Sequence, residues 1–401
     1  MAHISYSKSI EILKANLPQP KGSETLFLGE AVGRILAEDV VAPYDNPYHP
    51  TASMDGYGVR YRDLEKGELK IVGENPAGKF QIRKIGEGEA VKTFTGSFMA
   101  EGADTLLPFE NVKVEGEKLK IVEPVSQGFS VRPVGEDFKK GEVVIKKGTP
   151  LREGELGVLA SLGKSVVKVV KRPKIAILST GKELVDIDSP FQPGEIRSSN
   201  NYTLTFLAGR LGYQVENLGL LPDDKKEIEK RIKEALEEND IVVTTGGVSV
   251  GDYDFVKEIT GSYQLLFHGV NIKPGQWVMV AKAGGKFIVS LPGFPYSSFV
   301  TFLLYVVPIA DRLGGGLESI KEVTAKLGEP FEKKFKKYQF VAVNIHWTPS
   351  GLVVDTRGKK QGSSGILTNL IGCKGLMALP EGIYRLERGE EVKLLTFERV
   401  I

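Results

Sequence analysis

The sequence predicts a multidomain α/β and β protein with a central doubly wound, mostly parallel sheet. Around it are expected a β-rich insertion domain, a discontinuous mixed helical and linker domain, and a C-terminal β domain. Three observations carry this. After Pro173 apolar strand cores alternate with helical patterns, the signature of a parallel sheet. Residues 56 to about 130 instead carry short alternating runs between Gly, Pro and Asn turns, and alternation returns from about Glu318. Finally, 401 residues exceed what one domain of ~100–200 residues holds. The expected boundaries are 1–48 plus 131–171 for the discontinuous domain, 49–130 for the insertion, 172–315 for the sheet domain and 318–401 for the C-terminal domain.

In chain order, Tyr6, Ile10, Leu13 and Leu17 form one apolar helical face. A second helix is expected through Leu28, Ala31, Val32, Ile35 and Leu36, stopped by Pro43. Leu69 to Val72 and Lys118 to Val122 read as strands, and Leu156, Leu159 and Ala160 as a helix ending at Gly163. Ile175 to Leu178 form a strand buried on both faces. A helix through Leu204, Leu207 and Leu211, a strand at 215–220, a charged helix at 223–238 and a strand at 240–245 follow.

Composition excludes several classes. Lys+Arg 53 against Asp+Glu 51 gives a net charge of +2, so no charge excess argues for nucleic acid or an anionic membrane. One cysteine excludes a disulfide framework and a Cys-rich zinc site. The four histidines form no ligand-spaced pair. No run reaches ~18 apolar residues, and no signal-peptide core is present. A cytoplasmic location is the default expectation.

Ligands of doubly wound sheets bind beyond the carboxyl ends of the strands. That edge should carry four loops. Thr244 to Asp254 includes Gly246, Gly247 and Ser249, which suit a phosphate, and Asp254, where a carboxylate suits Mg²⁺. The same loop also reads as a tight turn with Asp252 or Asp254 as helix N-cap. Thr180, Gly181 and Glu183 form the second loop, with Glu183 alternatively a first-turn helix acid. Asp223 and Asp224 lie on the third and suit either a site or a cap. The fourth, Pro292-Gly293-Phe294-Pro295-Tyr296-Ser297-Ser298, precedes an apolar helix whose N-terminus suits an oxyanion. Lys273 sits on a nearby Pro-Gly turn.

These segments together resemble the molybdopterin molybdenumtransferase family, which includes the E domain of gephyrin. The resemblance runs over essentially the whole chain. It is carried by Ser53-Met54-Asp55-Gly56-Tyr57, Thr95-Gly96, Arg132 through Asp137, Ser179 to Leu184, Gly246 to Gly251, Ile272 to Gly275 and Leu291-Pro292-Gly293. It implies an elongated homodimer with a shared active site. The implied reaction inserts molybdate, or the nearly isosteric tungstate, into adenylated molybdopterin, with Mg²⁺-dependent phosphoanhydride cleavage and release of AMP.

The resemblance also implies roles. Asp55 and Thr95 would complete the cleft from the partner subunit. Asp137, Glu183, Asp223 and Asp254 would supply carboxylates, with Glu183, Asp223 and Asp254 around Mg²⁺. Thr180, Gly181, Gly246, Gly247, Ser249, Pro292 and Gly293 would bind substrate. Lys273, Ser297, Ser363 and Ser364 would hold the oxyanion. The metal would ride on the cofactor's own sulfurs, so no Cys ligand is required. The adenylating protein of the same pathway is a further expected partner. Two departures, Gln276 for a family lysine and Phe294 for an asparagine, are expected at the oxyanion pocket. The alternatives are a nucleotide pyrophosphatase-like hydrolase and a non-catalytic molybdopterin-binding scaffold.

Overall fold

A computed structural model describes residues 3–78, 83–248, 255–316 and 318–397. The chain divides into two compact units, one of Met1–Ala37, Pro150–Arg152 and Val166–Ile401, the other of Glu38–Thr149 and Glu153–Ser165.

The first unit is built on a six-stranded sheet of β1 (Lys174–Thr180), β2 (Gln214–Leu221), β3 (Ile241–Thr245), β4 (Gln264–His268), β5 (Met279–Ala283) and β6 (Lys286–Leu291), in the order β2-β1-β3-β6-β5-β4. The pairs β1–β2, β1–β3 and β3–β6 are parallel, whereas β5 and β4 run antiparallel at one end. Strand residues alternate between two cores, as the two-residue period of a pleat requires. Ile175, Ile177 and Val243 face a core shared with Leu204, Leu207 and the apolar segment Pro295–Leu313. Ala176, Leu178 and Val242 face Ile228, Ile232 and Val256 on the other side. The helix Tyr6–Ala15, capped by Ser5 accepting from the Lys8 N–H at 3.2 Å, buries Leu13 in the first of these cores.

The C-terminal strands form a barrel. Tyr338–Thr348, Gly351–Asp355, Lys321–Leu327, Glu391–Thr396 and Gly375–Leu379 pair in that order, and the last pairs back onto the first. The two-residue strand Ile272–Lys273 joins its edge, parallel to Tyr338 and Gln339. Among the described residues no helix is long and apolar enough to cross a membrane.

The second unit carries a six-stranded sheet ordered Thr105–Pro108, Gly56–Val59, Glu89–Thr93, Glu68–Asn75, Lys118–Ile121 and Val112–Glu115. Only the Glu68–Asn75 and Glu89–Thr93 pair is parallel. Short ladders tie Val40–Val41 to Val143–Ile145 and Thr51–Ala52 to Val131–Arg132.

One expected element is corrected. No helix runs from Leu28 to Leu36; a single tight turn at Leu28–Glu30 follows the strand Ser23–Phe27. Gly33 takes φ +72°, and Ile35 and Leu36 bridge to Pro150 and Val169. Two glycines in nine residues each cost a helix about 1 kcal/mol, and Ser23–Phe27 pairs along its length with Val166–Val170. Long-range pairing prevails over the local period.

Asp311 anchors the end of the apolar helix. Burial raises its carboxyl above the usual range, and it accepts from the Tyr213 hydroxyl at 2.6 Å and from the Ser319 hydroxyl and N–H at 2.6 and 2.8 Å. Tyr213→Phe removes one donor to the ionised form, so it should lower stability by about 1–3 kcal/mol near neutral pH. The loss should shrink in acid, where the native carboxyl holds its own proton. Thermal unfolding of both proteins across that pH range checks this; a loss independent of pH would contradict it.

Candidate active site

The parallel strands β1, β2, β3 and β6 end at one edge, and their glycine turns pack backbone to backbone there. Gly246 has φ +91°, and a Cβ built on it would lie 2.4 Å from the Thr180 carbonyl oxygen. Its N–H donates to the Leu291 carbonyl at 3.1 Å, so Gly246 locks the β1, β3 and β6 ends together. Gly247, at φ +63°, lies against Val256 and Thr180. Gly293 comes next to Gly246, and its carbonyl accepts from the Asn200 side chain at 2.8 Å.

Beneath this edge sits a buried polar network. The Ser179 hydroxyl meets Thr245 Oγ1 at 2.6 Å and donates to Asn201 Oδ1, and Asn201 Nδ2 donates to the Gly219 carbonyl at 2.7 Å. Thr180 Oγ1 and Thr244 Oγ1 are buried without partners among the described residues. Thr180 thus offers an unsatisfied hydroxyl at the strand end.

The expected carboxylates separate into different roles. Glu183 is exposed after a turn closed by Leu184 N–H to Gly181 O at 3.0 Å, and it leads into the short strand Leu184–Val185, so it is no helix acid. Asp224 takes the capping role, accepting from the Glu227 N–H at 2.9 Å. Asp223 is left at the edge, next to Glu183 in strand order because Thr180 pairs with Leu221. Neither the Glu183 nor the Asp223 carboxylate has a hydrogen-bond or ion-pair partner among the described residues. Ser249 and Asp254 lie outside the described residues. Among the described residues no group of three His, Cys, Asp or Glu side chains is arranged to hold a metal ion.

A solvent-open pocket lies beside the C-terminal barrel, and it brings together Lys273, Ser363 and Ser364. Lys273 Nζ stands 3.9 Å from the centre of the Phe335 ring. Gly275, at φ +101°, seats this turn against Thr301 of the helix Pro295–Thr301. The buried Tyr296 hydroxyl accepts from the Ala342 N–H at 2.7 Å and donates to the Phe340 carbonyl at 3.1 Å, fastening that helix to the barrel. Ser297 is buried, and it is Tyr296 that lines the pocket. Ser298 caps the turn by donating to the Pro292 carbonyl.

The two departures fall differently from expectation. The Gln276 side chain faces the His3 ring at 3.1 Å and does not line the pocket, because Val270 and Gly275 fix its turn toward the N-terminal segment. Phe294 is largely exposed and packs beside Gly365, next to the Ser363/Ser364 turn. It bridges the glycine edge, through Gly293, to the pocket.

In the second unit, Asp55 Oδ1 accepts from the Thr95 N–H at 2.8 Å and from its hydroxyl at 2.7 Å. Those two bonds, the backbone one first, hold the carboxyl below its usual range. The neighbouring Gly56 lies where a Cβ would meet the Leu107 carbonyl at 2.4 Å. Asp137 is exposed and accepts from the Asn46 amide at 2.9 Å.

Sequence reasoning missed Asn200, Asn201, Gln339, Lys334 and Lys360. The run Arg357-Gly358-Lys359-Lys360-Gln361-Gly362-Ser363-Ser364 was the available signal for Lys360, since glycines flank two lysines and a serine pair. For Asn201 none existed, because its partners come from two other strands.

Residues 4–163 match the family model described as MoeA N-terminal region (domain I and II), 176–312 the probable molybdopterin binding domain, and 324–397 the MoeA C-terminal region (domain IV). A molybdopterin molybdenumtransferase of Staphylococcus aureus is 34% identical over 383 residues, covering 93% of this chain and 91% of that protein. The chain belongs to the molybdopterin molybdenumtransferase family. Another transferase of this name, from Staphylococcus epidermidis, is 31% identical over 380 residues, 92% of this chain and 90% of its own. The crystal structure of the molybdopterin biosynthesis MoeA protein of Pyrococcus horikoshii OT3 is 32% identical, covers 98% of this chain and 100% of that one, and superposes with a TM-score of 0.84. The family's architecture of β-rich N-terminal region, molybdopterin-binding α/β domain and C-terminal β domain is therefore the one described above.

Gly246→Ala should place a methyl group against the Thr180 carbonyl in a left-handed backbone. We expect a stability loss of about 2–4 kcal/mol in chemical denaturation. Gly284→Ala, with positive φ but open space around it, should cost less; equal losses would contradict the close-approach argument.

Proposed function

We propose that this chain transfers molybdenum from molybdate to molybdopterin, taking adenylated molybdopterin as substrate and releasing AMP as the phosphoanhydride is cleaved. The observation that supports it best is the junction through Gly293, Phe294 and Gly365. It sets a glycine-walled strand edge beside a lysine- and serine-lined pocket within one unit. Phosphoanhydride cleavage depends on positioning and charge neutralisation more than on a covalent nucleophile. The edge suits that role: Thr180 offers its buried hydroxyl, and Gly247 its backbone N–H, since the Gly246 N–H is occupied by Leu291. Gly181, Pro292 and Gly293 leave room for substrate to approach the backbone. Lys273, Ser363 and Ser364 give the incoming oxyanion a cation and hydroxyl donors, and Ser297 contributes the first helical turn beside it.

Glu183 and Asp223, together with Asp254, would hold Mg²⁺ through hard carboxylate oxygens, the donor type that ion takes. When bound, the ion neutralises phosphate charge. Asp55, kept ionised by Thr95, and Asp137 are the further carboxylates of this reading. In this reading a second copy of the chain contributes Asp55 and Thr95, so the active form is a cytoplasmic homodimer. Tungstate is an alternative substrate on size grounds.

AMP release from adenylated molybdopterin with Mg²⁺ and molybdate tests the assignment. Glu183→Gln and Asp55→Asn should each lower turnover by about 10²–10³-fold, and Glu183→Gln should leave thermal unfolding unchanged because its exposed carboxylate has no partner among the described residues. Turnover equal to the unaltered protein's would refute the catalytic roles. A protein that sediments strictly as a monomer yet turns over would refute the shared site.

A further inference from the structure

The barrel pocket carries more positive charge than that reading uses. Among the described residues its walls hold Lys273, Lys334, Lys359 and Lys360 and no aspartate or glutamate. Lys359 is spent, its Nζ donating to the Asn369 and Ile371 carbonyls at 3.1 and 2.6 Å. Lys273 rests on the Phe335 ring. The ammonium groups of Lys334 and Lys360 have no acceptor among the described residues. Both are nonetheless positioned from below. Lys360 is gripped at its backbone by the buried Asn369 side chain, through bonds of 2.8 and 2.7 Å. Lys334 follows Lys333, whose side chain is buried and donates to the Pro380 carbonyl. Two exposed lysines on anchored backbone therefore border one concave surface.

Gln339 supplies an independent observation. It lines the same pocket, pairs with Lys273 across adjacent strands, and its Oε1 is buried without a donor among the described residues. A half-turn of the amide presents its NH₂ there instead, and the two orientations are distinguished only by the partner that arrives.

We propose that Lys334 and Lys360 make this pocket selective for doubly charged tetrahedral oxyanions over singly charged ones of the same size, with the neutral Gln339 amide a contact common to both; this rests on the reading of the pocket as the oxyanion site. Clustered ammonium groups repel one another, and burial together with the nearby Lys273 charge already lowers the affinity of Lys337 for its proton. A dianion offsets that repulsion about twice as strongly as a monoanion at the same distance, whereas the serine contacts treat both alike. Charge, rather than shape, then separates the two classes, and added salt weakens the separation.

Isothermal titration of the full-length protein with tungstate and with perrhenate, a tetrahedral monoanion of nearly equal size, tests this without turnover. The unaltered protein should bind tungstate at least about tenfold more tightly than perrhenate at low salt. Lys334→Met and Lys360→Met should each weaken tungstate about three- to tenfold and narrow the gap, and Gln339→Leu should weaken both anions alike. Thermal unfolding establishes that the variants are folded. Equal binding of the two anions by the unaltered protein, or lysine variants that bind tungstate unchanged, would overturn the proposal. Separately, no tungstate binding by the unaltered protein, or binding unaffected by Lys273→Met, would overturn the oxyanion reading itself.

Discussion

The site hangs on one backbone contact, the seating of Gly246 against the Thr180 carbonyl. A parallel sheet already brings the ends of β1, β3 and β6 to one edge, but side chains on the connecting turns would hold those turns apart. With no Cβ at 246 and a left-handed backbone there, the β3 turn folds over the end of β1 and bonds to the end of β6. The Thr180 hydroxyl, the Gly247 N–H and the Gly293 backbone are gathered as a consequence. The Ser179, Thr245 and Asn201 network satisfies the polar groups that this closeness buries.

From that edge the chain reaches the barrel through a stiff route. The turn after β6 carries Phe294 to the Gly365 loop, and Tyr296 exchanges two hydrogen bonds with the strand holding Gln339 to Ala342. The Lys273 turn packs on the same helix at Thr301. A glycine-walled strand edge and a cationic pocket therefore belong to one packed body. On the proposed reading, reagents held by each would be at fixed separation, which is how positioning replaces covalent catalysis.

Much of this was legible in the sequence. The apolar runs at Ile175 and Ile241 announced a doubly buried sheet, and the glycine turns after them announced the edge. Seven motifs in register pointed to the family. Other features were not legible because they depend on distant partners. The helix expected at Leu28 to Leu36 gave way to pairing with Val166–Val170, over a hundred residues on. Gln276 turned from the pocket to His3 because the N-terminal segment packs there. Asp223 and Asp224 read alike in sequence, and only the Glu227 N–H assigned the cap to Asp224. Lys334 and Lys360 looked like ordinary surface lysines until the barrel set them beside Lys273.

The most direct test of the account is AMP release from adenylated molybdopterin by the purified protein with Mg²⁺, measured without oxyanion, with molybdate and with tungstate. The account requires release that depends on an added oxyanion, because the lysine pocket and the glycine edge act on one reaction. Release at the same rate without oxyanion would contradict it and make the chain a hydrolase of the phosphoanhydride. No release under any of the three conditions would leave a binding protein in place of an enzyme.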